Sequence, residues 1–435
     1  MSLRDPATSW PGHLLHLMVC VCIVILTGMT PTIIGHLDAD CFYVSAERVR
    51  FPHLRGQPVG VLGNQGACVI AKSYEMKASG VSTGMPIWDA LKHCPDAIFV
   101  KRDFRWYEVL SRRMLSAVKE VSPTVEYYSI DECFFDAGTL PQSFGQSMDD
   151  AACALQQRML KRTGVPVSLG ISRSKILAKL ASDAEKPFGC TVLLDQSEIQ
   201  DYLKRQTVGE ITGIGRRSLS KLASCGIFTC EDFANANRNF IRKLLTVKGE
   251  RIWLELRGEP AIPIQTRRPM HKCVARGGSL GRATADRERL LAWVVRNVER
   301  LVEALDTNGY VCGRLTMDLQ HKDGTCRSKR ASLPEDTAEF ELLAPTAKAL
   351  LPCVWIPGQS VAYMHLIAER LRVRGIRQLS LFQSTPARVD RLKRIVNGKI
   401  GRFAIRSGDT LALDDVYADE ANDYDICDVH GKMCF

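Results

Sequence analysis

The amino-acid sequence predicts an α+β protein of several domains, and three observations carry that expectation. The chain has 435 residues, 46% of them hydrophobic, which is enough for two to four domains with cores of their own. Two short β-prone runs end on acids: Thr32–Leu37 leads to Asp38, and Val125–Ile130 leads to Asp131 and Glu132. Further along, a helical period and a strand period stand side by side. Leu290, Leu291, Val294, Val295, Val298, Leu301, Val302 and Leu305 stripe Arg289–Leu305 as an amphipathic helix, whereas Arg314–Gln320 and Val361–Val373 alternate as strands do.

The first two runs matter for chemistry as well as for fold. An acid at the end of an apolar strand is delivered to one edge of a sheet. Clustered carboxylates repel one another and call for a cation. Oxygen ligands with no nearby His or Cys favour a hard ion such as Mg²⁺, which prefers carboxylates and substrate phosphates. That is the layout of a phosphoryl-transfer site. From spacing alone, the alternative is two unrelated acids at strand ends.

Charge agrees with a polyanionic partner. The formal net charge is +10, from 58 Lys and Arg against 48 Asp and Glu. Basic residues crowd 204–257, 267–299 and 369–406, while the stretch from Asp409 onward is acidic and reads as a disordered or docking segment. The 16 cysteines are scattered, with no CxxC pair and no zinc-like Cys/His spacing, so reduced thiols in a cytoplasmic protein are expected rather than a disulfide scaffold or a zinc site. Leu14–Thr27 is an uncharged apolar run, short for a membrane span and without a basic flank or small-residue cleavage site. It predicts an over-extended start, with Met29 as the functional first residue and no stable membrane association.

Downstream, GEITGIGRRSLSKLASCGIFTCEDF reads as a helix, a Gly-x-Gly turn at Gly213 and Gly215, and a second helix carrying Arg216, Arg217 and Lys221. Glycines there permit positive φ and close approach. The turn amides and the following helix N-terminus suit a DNA phosphate; the alternative is a plain helical hairpin. Residues 271–376 read as an α+β domain decorated with Lys272, Arg276, Arg282, Lys322, Arg327, Lys329, Arg330, Arg372 and Arg374. A solvated charged face is the alternative there. Arg388–Arg406 is a candidate basic helix.

Four motifs in order (HLDADCFYVSAE, VIAKSYEMKASGVSTGMP, YSIDECF and LGISRSKILAKLASDAEKPFG) make the chain resemble the Y-family, or translesion, DNA polymerases. Its features lie between those of the bacterial polymerase IV and polymerase V catalytic subunits, and the resemblance runs from Thr32 to Phe382. It implies that Asp38 and Asp131 bridge two Mg²⁺ ions, with Glu132 completing the ion nearer the primer end and the Ala39 carbonyl adding a ligand. Two such ions, about 3.5–4 Å apart, clamp the attacking and leaving oxygens. Tyr43 falls at the steric-gate position, where an aromatic ring excludes a ribose 2′-hydroxyl; an ordinary core aromatic is the alternative. Tyr74, Lys77 and Lys186 resemble the residues that hold the incoming triphosphate. Lys77 stands where many relatives carry Arg, which keeps the charge and loses the bidentate fork. Ala71 replaces a frequent hydroxyl residue, as it does in polymerase V-like chains.

The resemblance also implies a right-hand architecture. A palm with a mixed antiparallel sheet is expected at 31–41 and 101–193, small fingers at 42–100 and a helical thumb with the helix-hairpin-helix at 194–262. A little finger follows at 271–376, gripping DNA phosphates. Residues 377–435 then hold a tail and a peptide, Gln378-Leu379-Ser380-Leu381-Phe382, that matches the sliding-clamp docking motif; the last turn of the preceding domain is the alternative. Residues 1–30 form the apolar extension. Small fingers with few large aromatics close loosely on the nascent pair, so damaged templates are accepted, and no exonuclease-like acid set predicts proofreading. The implied partners are primer-template DNA, including damaged template, a deoxynucleoside triphosphate, the sliding clamp and accessory subunits. A non-catalytic scaffold that keeps the fold is the alternative function, disfavoured by the survival of Asp38, Asp131 and Glu132. A different Mg²⁺ palm enzyme, such as a nucleotide cyclase, would leave the hairpin motif and little finger without a purpose.

Overall fold

In chain order the secondary structure of the computed structural model begins β1 (Ile34–Ala39), α1 (Phe42–Arg50), β2 (Val59–Leu62), β3 (Val69–Lys72), α2 (Tyr74–Ala78), α3 (Ile87–His93) and β4 (Ile98–Lys101). It continues α4 (Phe104–Lys119), β5 (Val125–Tyr127), β6 (Glu132–Asp136), α5 (Leu140–Phe144), α6 (Met148–Thr163), β7 (Val167–Ser172), α7 (Lys175–Asp183) and β8 (Cys190–Leu193). Then come α8 (Gln196–Arg205), α9 (Arg216–Ala223), α10 (Cys230–Asn235), α11 (Arg238–Leu256), β9 (Cys273–Thr284), α12 (Arg287–Thr307), β10 (Tyr310–His321), β11 (Cys326–Thr337), α13 (Phe340–Val354), β12 (Val361–Val373) and α14 (Ala387–Ile400). The structure describes residues 32–63, 68–145, 147–267, 269–375, 387–401 and 403–413. The expectations for residues 1–30, for the peptide Gln378–Phe382 and for the tail beyond 413 lie outside the described residues. No helix among the described residues is long and apolar enough to cross a membrane.

The backbone groups into two units, Met1–Arg55 with Val109–Arg267, and Gly56–Glu108 with Arg268–Phe435. The first is built on a mixed sheet of order β5-β6-β1-β7-β8, in which β1 pairs antiparallel with β6 and β7, and β8 joins β7 in parallel. Every residue of β1 and of β7 is buried, as expected of central strands covered on both faces. Helix α7 lies against β7 and β1, and Gly170 is what lets it sit so close. A Cβ there would stand 2.1 Å from the Ala178 carbonyl oxygen, so only glycine fits.

The neighbouring helices are pinned by specific bonds. Gln156 of α6 donates from Nε2 to the carbonyls of Val167 (3.0 Å) and Gly189 (2.9 Å). Ser174 caps α7 by accepting from the Leu177 amide, and its hydroxyl donates to the Glu255 carbonyl at 2.7 Å. The Glu255 carboxylate accepts from the amides of Ile176, Ala261 and Ile262. These bonds, with a core running from Ile176 to Leu256, join α7 to the helices α8–α11.

The second unit carries a sheet of order β3-β2-β4 and a four-stranded antiparallel sheet of order β11-β10-β12-β9. Leu315, Met317 and Leu319 of β10 and Met364, Leu366 and Ala368 of β12 form one face and pack with the apolar stripes of α12 and α13. The helix read from sequence as Arg289–Leu305 runs Arg287–Thr307.

Four local expectations are corrected. Asp38 lies within β1 rather than after it. The strand expected over Val125–Ile130 stops at Tyr127, because the Tyr128 and Ser129 amides turn back to the Glu132 carbonyl (3.1 and 3.0 Å). Of the two turn glycines, Gly213 has φ +101°, whereas Gly215 is an extended N-cap of α9 at φ −87°. The acidic stretch read as a disordered or docking segment begins packed: Asp409 pairs with Lys348 at 2.6 Å, and Thr410 and Leu413 are buried in a 3₁₀ turn.

Candidate active site

The sheet register brings the sequence-predicted acids together. Asp38 on β1 stands opposite Glu132, the first residue of β6, and opposite Ser168 of β7. The Ala39 amide donates to the Asp131 carbonyl at 2.9 Å, which sets the turn carrying Asp131 beside the end of β1. The Asp131 carboxylate accepts from the Ser129 hydroxyl, a bond across its own turn.

Burial makes Glu132 and Asp131 reluctant anions. It raises Glu132, together with the hydrogen bond shared with Asp38, to a pKa of about 7. It also raises Asp131, which the Asp38 charge pushes the same way and the Ser129 bond opposes. Two ammonium groups answer that charge. Lys179 of α7 bonds Glu132 and stands 3.9 Å from Asp38. Lys186 pairs with Asp38 at 2.8 Å and with Asp183 at 2.7 Å. Burial weighs against the Lys186 charge, but the two aspartates hold its pKa above the ordinary lysine value.

Sequence reading took the acids to have no nearby His, whereas the structure places His36 beside Asp38 and Glu132. One ligand atom each from His36, Asp38 and Glu132 lie within 4.8 Å of one another. The signal was available, since residues two apart on a strand share a face. His36 is fully buried, its Nδ1 lies 2.7 Å from the Ser182 hydroxyl, and its Nε2 has no hydrogen-bond partner. Burial, then the charges of Lys179, Lys186 and Lys175, keep the ring neutral, well below the usual histidine pKa. The carboxylates of Asp38 and Glu132 with a neutral imidazole form a donor set that could hold a divalent cation, and the Asp131 carboxylate is not part of that close group.

The remaining predicted residues are distributed as follows. Tyr43 is half-buried on α1, its ring 5.8 Å from that of Phe42. Tyr74 and Lys77 lie on α2 of the second unit, capped by Ser73, with the Lys77 ammonium 5.8 Å from the Tyr74 ring. Arg216, Arg217 and Lys221 are exposed on α9. Arg276 and Arg282 sit on one edge strand of the four-stranded sheet, and Lys329 and Arg330 on the other. Register splits them by face. Arg330 pairs with Thr316 and joins Arg314 on the face away from the helices, whereas Lys329 and Arg276 pair with the core residues Met317 and Leu366.

Comparison with known proteins places this geometry in context. The impB/mucB/samB family matches residues 37–183, and its C-terminal domain matches residues 271–381. DNA polymerase IV 1 of Bacillus subtilis is 30% identical over 389 residues, covering 87% of this chain and 93% of that protein. DNA polymerase IV of Oceanobacillus iheyensis is 39% identical over 223 residues, about half of each chain (51% and 52%). Among solved structures, a Y-family DNA polymerase chimera, Dbh-Dpo4(243-245)-Dbh, aligns with TM-score 0.67 at 24% identity, covering 78% of this chain and 99% of that one. DinB from Sulfolobus solfataricus aligns with TM-score 0.51 at 25% identity, covering 78% and 98%.

Proposed function

Because the chain belongs to the impB/mucB/samB family of Y-family DNA polymerases, we propose that its translesion DNA synthesis is carried out at Asp38, Asp131 and Glu132. The protein is a DNA-directed DNA polymerase of multidomain α+β fold. The observation that carries the site is the register of β1 against β6, which sets Asp38 opposite Glu132 with Asp131 bonded to Ala39.

Asp38, Asp131, Glu132 and the Ala39 carbonyl would hold two Mg²⁺ ions. When bound, these activate the primer 3′ hydroxyl and neutralise charge on the departing pyrophosphate. The chain's own residues do the rest. Lys186 presents a fixed positive charge at Asp38 and meets the triphosphate. Tyr43 bars a 2′-hydroxyl. The turn at Gly213 and Gly215 with Arg216, Arg217 and Lys221 holds a backbone phosphate without reading sequence. Arg330, on the sheet face away from the helices, grips the duplex backbone, where affinity comes from neutralised phosphates; Lys329 and Arg276 fall on the opposite face and do not take that role. Gln378, Leu379, Leu381 and Phe382 dock on the sliding clamp, and the protein acts in the cytoplasm on primer-template DNA, damaged template included.

Primer extension tests this reading. Purified protein with Mg²⁺ and the four dNTPs should extend a primer on an undamaged template and past a lesion, and should stop with EDTA. Extension on neither template would overturn it.

A further inference from the structure

Asp40, two residues beyond Asp38, is almost wholly buried, at 2% exposure. A buried carboxylate is tolerated when donors satisfy it, and those donors come from far away in the chain. Both oxygens of Asp40 accept from the Ser168 hydroxyl, at 2.9 and 3.1 Å, and Oδ2 also accepts from the Phe188 amide at 2.8 Å. The Ser168 oxygen in turn accepts from the Gly189 amide at 3.3 Å. Ser168 is the residue directly opposite Asp38 on β7, and Phe188 lies two residues past Lys186. Phe188 has φ +58°, a left-handed conformation that a non-glycine residue keeps only where its surroundings hold it. Charge-assisted bonds are the stronger kind, and here they pin the end of β1, the start of β7 and the loop after Lys186 to one another.

We infer that Asp40 is a positioning residue: with Ser168 it fixes the Lys186–Gly189 segment so that the Lys186 ammonium stands at Asp38 and meets the incoming triphosphate. This rests on the reading of Lys186 as a triphosphate ligand. The test is single-nucleotide insertion kinetics on an undamaged primer-template for Asp40→Ala, Asp40→Asn, Lys186→Ala and the Asp40→Ala/Lys186→Ala double variant. Asp40→Ala should raise the dNTP KM by about tenfold while kcat changes less than about threefold, the split expected when binding is lost rather than chemistry. Asp40→Asn, whose amide can accept from Phe188 and donate to Ser168, should recover most of that loss. The double variant should be no worse than Lys186→Ala alone, because the two residues act through one contact. Multiplied losses in the double variant would overturn the positioning role while leaving Lys186 a ligand. An unchanged KM in Lys186→Ala would sink the ligand reading and the inference with it. If Asp40→Ala does not fold, Ser168→Ala takes its place. It keeps the carboxylate and removes one donor, and should raise KM only when Lys186 is present; an unchanged KM in folded Ser168→Ala would overturn the proposal.

Discussion

Gly170→Ala probes how the site is held from beneath. The added methyl carbon would lie 2.1 Å from the Ala178 carbonyl oxygen, 2.3 Å from the Ser182 amide nitrogen and 2.9 Å from the Ala181 carbonyl carbon, whereas ordinary contact begins at 3.4 Å. All three neighbours are backbone atoms of α7, so no rotamer change relieves the clash and the helix must withdraw by about 1 Å. Overpacking of this kind costs about 1–3 kcal/mol. For a cooperative unit of some 150–250 residues, that is a fall in Tm of about 2–12 °C. The same movement carries Lys179 away from Glu132, Lys175 away from Glu126 (2.7 Å) and Ser182 away from His36 (2.7 Å), so primer extension should drop with stability. The control is Gly398→Ala on α14, where a Cβ meets nothing within 4 Å and helix propensity gains about 1 kcal/mol. Thermal denaturation and primer extension of both variants are the assays. A Gly170→Ala protein that melts within a degree of the wild type would refute the seating of α7 on β7.

Two further outcomes are expected. Tyr43→Ala should raise ribonucleotide incorporation relative to deoxynucleotide incorporation; an unchanged ratio would make Tyr43 a packing residue. Glu132→Gln should flatten the pH dependence of stability in EDTA. Burial and the bond to Asp38 raise the Glu132 pKa from 4.5 to about 7 in the folded protein, so its protonated form favours folding. That contribution is full below the unfolded value of 4.5 and is lost as pH rises through 7. The wild-type Tm should therefore fall more between pH 5 and pH 8 than the variant's, and parallel curves would contradict the assignment.

The acids were legible in sequence because apolar runs lead to them, and the four-stranded sheet was half legible for a related reason. β10 and β12 are its central strands, and their apolar residues alternate at Leu315, Met317 and Leu319 and at Met364, Leu366 and Ala368. β9 and β11 were not foreseen. They are the edge strands, one interrupted by Gly277, Gly278 and Gly281 and the other carrying Arg327, Lys329 and Arg330. Edges are blunted with charge and irregularity, which erases the period that sequence reading relies on. His36 was hidden differently: its position two residues before Asp38 was plain, but its approach to Glu132 depends on the pairing of β1 with β6. The bonds from Asp40 to Ser168 and Phe188 span 128 and 148 residues, and no local pattern signals a contact of that range. Roles for Tyr74 and Lys77 came from family resemblance, not from any periodicity of their own.

The most direct measurement is primer extension by an Asp131→Ala/Glu132→Ala double variant, alongside its affinity for primer-template DNA. Extension should vanish while DNA binding largely persists, since the acids serve the chemistry and the basic surfaces serve the duplex. Undiminished extension by a correctly folded double variant would show that nucleotide transfer happens elsewhere.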